Sequence, residues 1–394
     1  MIALPPVLRP SATLGLLDIT KFYGPATGGI RTYLNAKAAW TAAHPGIRHA
    51  LVVPAVADAV DDAGGVRWYR LRGPRIPGAR SYRALAAPRA IAAIVAHERP
   101  DVIEVGSHFL VPWQVFRANR RLGARVVWFA HTDLAGLAGR GWGRGLGPRE
   151  WRSAMGERYV RALARRVDLV IAGSNGHADR LREAGAPRVA VAPLGVDLRR
   201  CHPGRRERQA AVRLRHGLRE APYAIYAGRI AREKELDVVL AAWPEVERRT
   251  GVGLVLMGAG ADAARLRRLP GAARASWLPF DPDPEPVADL LAGAEFFVAP
   301  GPHETFGLAA AEAAGCGAPV LTVDRGAVGE RVAASGTGAV YRRGDAAGLV
   351  EGAVSLVAGG MPLRRRVRDF AERHLGWDAA FDRLLALYRD LAPQ

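Results

Sequence analysis

Two glutamates eight positions apart, Glu304 and Glu312, stand in the stretch Phe296–Val320, which reads FFVAPGPHETFGLAAAEAAGCGAPV. An apolar strand ends near Pro300, a Gly/Pro/His loop follows, and a small-residue helix is expected from about Phe306 to Ala314. Glu304 then lies just before the helix and Glu312 inside it. At helical rise the two carboxylates are separated by roughly 12 Å, about the reach of a nucleotide sugar from hexose to ribose. The N–H groups of the first turn, near Phe306, Gly307 and Leu308, have no intrahelical partner and point where a diphosphate or sugar oxygen could be received. Either glutamate alone reads as a cap or a solvated side chain. Strand, loop, helix and both acids together point to a site.

A second element is AIYAGRIAREKELDVVL, Ala224–Leu240. A strand ends at Ala227–Gly228, and Arg229 and Lys234 follow within a turn or so. Two fixed cations there could neutralise a leaving diphosphate, work otherwise done by a divalent metal. The plainer alternative is surface pairing of Arg229, Arg232 and Lys234 with Glu233 and Glu235. Lys234 is one of only three lysines, with Lys21 and Lys37, in a chain whose default cation is arginine.

Two further features lie nearer the start. KFYGPATGGIR, Lys21–Arg31, places Gly24, Gly28 and Gly29 before a helix, where backbone could cradle a phosphate. It is not a P-loop, because Ile30-Arg31 replaces Lys-Ser/Thr; a tight turn explains it equally well. His131, in WFAHTD, follows the apolar strand Arg125–Ala130, where an imidazole can hydrogen-bond a substrate or assist proton transfer. Two motifs are set aside. Gly258-Ala-Gly260-Ala-Asp-Ala263 fits a dinucleotide fingerprint but lacks the following strand and ribose acid, so it reads as a turn. Asp281-Pro-Asp283 imitates a two-aspartate metal motif, yet its flanking prolines mark the end of a strand and a helix start near Val287.

The elements that must position these residues alternate along the whole chain. Strands are expected at Leu14–Ile19, His49–Val53, Val102–Val105, Arg125–Ala130 and Leu169–Ala172, then at Tyr223–Tyr226, Gly253–Met257, Ala275–Leu278, Phe296–Ala299 and Val320–Val323. Helical patterns between them include Ile30–Thr41, Leu85–Glu98, Leu236–Arg248 and Trp377–Leu391. Such alternation predicts doubly wound parallel sheets. Arg199–Arg206 reads as a linker, Arg67–Tyr82 and Gly136–Glu150 as loops. The division expected is an N-terminal domain over 1–198, a C-terminal domain over 199–376, and a last helix, 377–394, packing back across the hinge. Ligands are expected in the cleft between the two domains.

Composition sets the limits. The 394 residues carry 56 Lys and Arg against 38 Asp and Glu, a net charge of +18. That excess invites an anionic partner: a nucleotide diphosphate, lipid headgroups or nucleic acid. The densest basic stretch, Arg140–Arg166, has Trp142 and Trp151 interleaved and could lie on a membrane surface; a solvated helix and loop is the alternative. No apolar run is expected to reach the roughly 20 residues of a membrane span. No secretory leader is expected from Met1–Arg9, which lacks a basic segment followed by an apolar stretch. Cys201 and Cys316 have no metal-ligand spacing, so a reduced, cytoplasmic setting is expected, with contact at the membrane's inner face left open.

The chain resembles the retaining glycosyltransferases of glycosyltransferase family 4. The resemblance rests on GPATGGIRTYL, HTD at His131, AGSNGHADRL, PLGVDLRRCHP, YAGRIAREKELDVVLAAW, LVLMGAG and, most specifically, PGPHETFGLAAAEAAGCGAPV, in that order. It implies an α/β architecture of the GT-B type, two Rossmann-like domains facing an interdomain cleft. PGPHETFGL is most similar to bacterial mannosyltransferases, which implies GDP-mannose as donor, with UDP-glucose or another UDP-sugar as the alternative. By the same resemblance, Gly228, Arg229 and Lys234 bind the donor diphosphate, Glu304 lies near the hexose, and Phe306, Gly307 and Leu308 contact sugar or phosphate through backbone. Glu312 takes the ribose, Leu278 and Pro279 meet the base, Gly28 and Gly29 close on phosphates and acceptor, and His131 lies near the reacting centre. Gly195 belongs to the cleft.

The implied reaction moves a hexose from a nucleotide-diphosphate sugar to a hydroxyl with retention, using Glu304, His131, Arg229 and Lys234, no metal and no cofactor. The acceptor, a glycan, lipid-linked or small molecule, is not legible. The competing classes are a GT-B nucleotide-sugar epimerase, a nicotinamide-dependent oxidoreductase, and a nucleic-acid-binding protein; the last lacks zinc-finger spacing, RNA-binding aromatics and a basic tail.

Overall fold

A computed structural model of the chain describes residues 4–9, 11–24, 28–76, 79–134, 136–137 and 149–392. Arg140, Gly141, Trp142, Gly143 and Leu146 of the basic stretch, most of the expected Gly136–Glu150 loop, and Pro25, Ala26 and Thr27 of the glycine loop lie outside the described residues. The chain divides into two compact units, Met1–Pro193 with Ala380–Gln394, and Leu194–Ala379.

The first unit is built on an eight-stranded sheet in the order Val189–Val191, Leu169–Ala172, Arg125–Phe129, Val102–Val105, Leu14–Ile19, Ile47–Ala55, Val66–Arg72, Ala59–Ala63. Every pairing is parallel except the last. Strands such as Leu14–Ile19 are buried along their length, as expected where helices cover both faces. The structure corrects the expected Arg67–Tyr82 loop: its first part continues the sheet. Trp68, Tyr69 and Leu71 are buried there, and the buried Arg67 pairs with Asp62 at 2.8 Å and with Glu98 at 3.3 Å.

Asp18 and Glu104 are register partners on neighbouring strands, so two carboxylates sit side by side in the core. Lys37, from the Gly29–Ala42 helix, places its ammonium 2.8 Å from Asp18 and 3.1 Å from Glu104. His49 reaches Asp18 at 2.9 Å, Tyr33 donates to Glu104 at 3.0 Å, and Tyr388 of the last helix donates to Glu104. All six groups are buried. Burial pushes both carboxyls up, but the Lys37 and His49 contacts hold Asp18 below its ordinary value, while Glu104 stays above. The last helix, Trp377–Leu391, is thereby tied into the first unit through charges that are costly to leave unpaired.

The second unit carries a six-stranded, all-parallel sheet in the order Ala275–Leu278, Gly253–Met257, Tyr223–Ala227, Phe297–Ala299, Val320–Val323, Gly338–Tyr341. Arg199–Arg206 is not an open linker. Pro203–Arg208 forms a 3-10 turn, Gln209–His216 a helix, and the buried Arg205 pairs with Asp289 at 2.6 Å and with Glu285. A second correction concerns apolar length. Ala346–His374 spans 29 residues with a mean hydropathy of 1.4 over its apolar window, long and apolar enough to cross a membrane. The helix is broken at Gly360, with φ 48° and ψ −146°, just ahead of Pro362. Arg364 beyond the break is buried and donates to the carbonyls of Ala294 at 2.7 Å and Ala292 at 2.9 Å.

Candidate active site

In the second unit, the loop after Tyr223–Ala227 lies against the loop after Gly253–Met257. The Gly228 N–H donates to Met257 O at 3.0 Å and the Ile230 N–H to Ala259 O at 2.9 Å. A Cβ on Gly258 would stand 1.9 Å from the Gly228 oxygen, and one on Gly260 1.9 Å from the Ile230 oxygen. The Gly-Ala-Gly run is therefore required by backbone packing beneath the Arg229 loop, which agrees with its reading as a turn.

Lys234 closes the 3-10 turn Arg232–Lys234 and forms an ion pair with Glu304. Its aliphatic stem runs along Gly301, where a Cβ would come within 3.1 Å of Lys234 Cδ. The Glu304 loop is held from behind. The Ala327 N–H donates to Glu304 O at 2.9 Å, and Arg331 donates to Phe306 O at 2.8 Å while its guanidinium lies 4.9 Å from the Phe306 ring centre. Burial lowers Arg331 to about 10, against the pull of Glu304 and Glu330. Arg331 was not singled out in the sequence, since it lies 25 residues beyond the backbone it supports.

Arg229 is placed differently. Its side chain is 70% exposed and pairs with Glu233 at 2.9 Å. The surface pairing weighed for this stretch thus holds for Arg229, while Lys234 reaches Glu304. Arg229 and Glu304 nevertheless flank one buried group, Tyr226. Its hydroxyl donates to Arg229 O at 2.7 Å, and burial raises its pKa, helped by Glu304 and opposed by Arg229. Tyr226 is a further residue that sequence reasoning passed over as plain strand.

The helix begins at Leu308, two residues later than expected, and runs to Gly315. Gly307 precedes it at φ 79°, a left-handed conformation natural to glycine, and a Cβ there would strike Val328 at 2.2 Å. The first-turn donors that lack an intrahelical partner therefore belong to Leu308, Ala309 and Ala310. Glu304 and Phe306 lie in the loop, so the 12 Å axial estimate does not describe the Glu304–Glu312 spacing. Glu312 sits one helical turn inside, with Arg200 at 3.8 Å. Burial pushes its carboxyl up to about 7, with Arg200 opposing and Asp197 reinforcing. Arg200, read earlier as linker, is thus part of this environment.

Leu278 is buried at a strand end and its carbonyl accepts from the Gly258 N–H at 3.0 Å; Pro279 is exposed beside it. Asp283 accepts from the Glu285 N–H at 3.0 Å and caps a helix that starts at Pro284 rather than near Val287. Gly195 packs on Trp377, with a hypothetical Cβ 2.7 Å from its backbone, which explains that glycine by packing. Cys201 and Cys316 are free and buried; the neighbouring Cys201 and burial together raise the Cys316 thiol.

The first unit holds the remaining residues. Gly28 precedes the Gly29–Ala42 helix, both glycines are exposed, and a Cβ on Gly28 would meet nothing within 4 Å. The His131 ring stacks on Phe129 at 4.2 Å with an interplanar angle of 6°. Burial first, and Lys37 second, lower its pKa to about 3. At neutral pH His131 is therefore an uncharged imidazole, able to hydrogen-bond but not to repel a nearby cation.

Known proteins place this arrangement. The description Glycosyltransferase Family 4 matches residues 27–200, and Glycosyl transferases group 1 matches residues 221–358. The chain is 30% identical over 378 residues to a GDP-mannose-dependent alpha-(1-6)-phosphatidylinositol dimannoside mannosyltransferase of Mycobacterium tuberculosis, covering 94% of this chain and 95% of that one. It is 30% identical over 316 residues to a D-inositol 3-phosphate glycosyltransferase of Rhodococcus erythropolis, covering 75% and 70%. The fold is similar to that of a sucrose-phosphate synthase from Thermosynechococcus elongatus, with a TM-score of 0.77 at 21% identity over 96% of this chain and 99% of that one. Two Rossmann-like units of this kind make up a GT-B glycosyltransferase, an enzyme that transfers a hexosyl group. The chain belongs to glycosyltransferase family 4.

Proposed function

We propose that the chain transfers a mannosyl group from GDP-mannose to a hydroxyl of a lipid-borne polyol or glycan, with retention of configuration and without a metal ion. The observation that carries the reading is the Lys234–Glu304 pair beside the first turn of the Leu308–Gly315 helix, with Glu312 one turn further in. Lys234 and the helix end would receive the departing diphosphate, Glu304 the hexose and Glu312 the ribose. Arg229, exposed and on a short loop, would swing from Glu233 to the diphosphate when the donor arrives. The C1–oxygen bond to the β-phosphate breaks, the acceptor oxygen bonds C1 on the same face, and its proton leaves with the diphosphate. Uncharged His131 would orient rather than protonate. Gly28 and Gly29 would contribute backbone to the phosphate and acceptor, and Leu278 and Pro279 to the base. The mannosyl donor and the lipid-borne acceptor are supported by the likeness to the M. tuberculosis relative, which is named for GDP-mannose and phosphatidylinositol dimannoside.

A thermal-shift comparison of GDP-mannose, GDP, UDP-glucose and UDP tests the donor, followed by acceptor-dependent release of GDP. Stabilisation by the guanosine ligands is expected. Stabilisation by UDP-glucose alone would overturn the donor assignment.

A further inference from the structure

The helix Gly326–Ser335 of the second unit lies directly against the loop that carries Glu304. Gly326 opens it at φ 80°, and a Cβ there would stand 2.9 Å from Pro302 O. Ala327, Val328 and Arg331 share the face turned to the loop, as spacings of three and four residues allow. The Ala327 N–H donates to Glu304 O at 2.9 Å, and Val328 fills the place that a Gly307 Cβ would take. One turn on, the Arg331 guanidinium donates to Phe306 O at 2.8 Å and to Gly307 O at 3.4 Å. Gly307 O also accepts from the Ala311 N–H at 3.1 Å, so Arg331 joins the loop to the first bond of the Leu308–Gly315 helix.

A trans peptide plane holds its N–H opposite its C=O. With the Phe306 and Gly307 carbonyls both drawn to one guanidinium, the Gly307 and Leu308 N–H groups leave the chain on the far side. Gly307 is left-handed and Leu308 begins a right-handed helix, and such a change of hand turns successive N–H groups into a concavity that receives anions. Among the described residues, neither of these two N–H groups donates to a protein acceptor. The charge behind them adds to the effect, because a carbonyl that accepts from a cation leaves the N–H of its own peptide a stronger donor. The Phe306 ring, 4.9 Å from the guanidinium, fixes Arg331 in this place.

We infer that Arg331 is a positioning residue of the donor site: it pulls the Phe306 and Gly307 carbonyls to its own side and so keeps the Gly307 and Leu308 N–H groups aimed at the diphosphate as charge develops there. The inference rests on the proposed donor site, and adds to it a residue that never touches the donor. Arginine suits the task because its planar fork spans two carbonyls at once, whereas an ammonium is a single point of charge. A guanidinium that merely glued the loop in place would support bound sugar nucleotide and released nucleotide equally. An aiming guanidinium favours the released form, whose terminal phosphate carries the extra charge.

The test compares GDP and GDP-mannose binding by calorimetry in the full chain, in Arg331→Met, which keeps the bulk and loses the donors, and in Arg331→Lys, which keeps the charge. Thermal unfolding checks that each variant is folded. Wild type is expected to bind GDP more tightly than GDP-mannose, and Arg331→Met to lower that ratio about tenfold, the worth of one charge-assisted hydrogen bond. With water as acceptor, GDP release from GDP-mannose by Arg331→Met should show kcat about 10²-fold lower and KM within about threefold of wild type. Arg331→Lys should stay about tenfold below wild type in kcat. A folded Arg331→Met with the wild-type ratio, a loss confined to KM, or full recovery of rate and ratio by Arg331→Lys would each overturn the inference. Should Arg331→Met not fold, Arg331→Lys decides alone: a lowered ratio supports the inference and a wild-type ratio overturns it. Failure of wild type to bind either guanosine ligand would overturn the proposed donor instead, and the same ratio is then read with UDP and UDP-glucose; binding of neither pair overturns both.

Discussion

Replacing Glu312 by Gln separates its charge from its shape, and the structure gives the expected size of the effect. Burial holds the carboxyl at about 7 in the free protein. If the ionised form accepts the ribose hydroxyls, donor affinity follows the ionised fraction, roughly one eleventh at pH 6 and ten elevenths at pH 8. Wild type should then bind GDP-mannose about tenfold more tightly at pH 8 than at pH 6. The donor itself does not titrate in this range. Glu312→Gln should show no such slope. At pH 8 it should bind about 10- to 100-fold more weakly, from the loss of a charge-assisted hydrogen bond of about 1.5–3 kcal/mol. Calorimetry in buffers of different ionisation enthalpy adds a second readout, release of about 0.9 proton per donor bound at pH 6 and about 0.1 at pH 8. A pH-independent wild-type affinity, or the same slope in Glu312→Gln, would refute the assignment. The linked stability has a definite sign. A carboxyl raised on folding binds its proton more tightly in the folded state, so stability falls between about pH 4.5 and 7, by on the order of 3 kcal/mol, and Glu312→Gln should remove that fall.

Gly307→Ala should destabilise the chain by about 1–3 kcal/mol, read as a lower urea midpoint, because φ 79° and the 2.2 Å approach to Val328 both oppose a Cβ; an unchanged midpoint would contradict the geometry of the helix start. Lys37→Met should cost about 3–5 kcal/mol in the same assay by leaving Asp18 and Glu104 unpaired. Lys37→Met combined with Glu104→Gln should recover part of that loss, and absence of any recovery would show that the charges are not coupled.

Uninterrupted apolar runs were legible because nothing in them competes with the parallel-sheet reading: Leu14–Ile19, Val102–Val105 and Val320–Val323 form strands over the expected residues. Val66–Arg72 was not legible, because its arginines break the apolar pattern and the buried Arg67 is tolerated only through Asp62 and Glu98, partners on other elements. The helix start was misplaced by two residues because a left-handed glycine, not a side-chain cap, ends the loop. Of the candidate site, Lys234 and Glu304 are brought together across 70 positions by sheet topology, and the spacing of Glu304 and Glu312 was read from local sequence alone. Arg331, Tyr226 and Arg200 were overlooked for the same reason: each acts on a neighbour supplied by the fold, and a single sequence does not pair residues that topology later joins. The surplus arginines hid Arg200 further, since one functional cation among 56 Lys and Arg carries no compositional mark.

The central claim is that an ammonium and a carboxylate in the second unit serve the reacting end of a sugar nucleotide. Its most direct measurement is acceptor-dependent release of GDP by Lys234→Ala and Glu304→Ala, each checked by thermal unfolding. The account predicts folded variants whose turnover falls by about 10²–10³-fold, the size of losing one preorganised polar group aimed at a reacting centre. Folded variants that release GDP at the wild-type rate would contradict it.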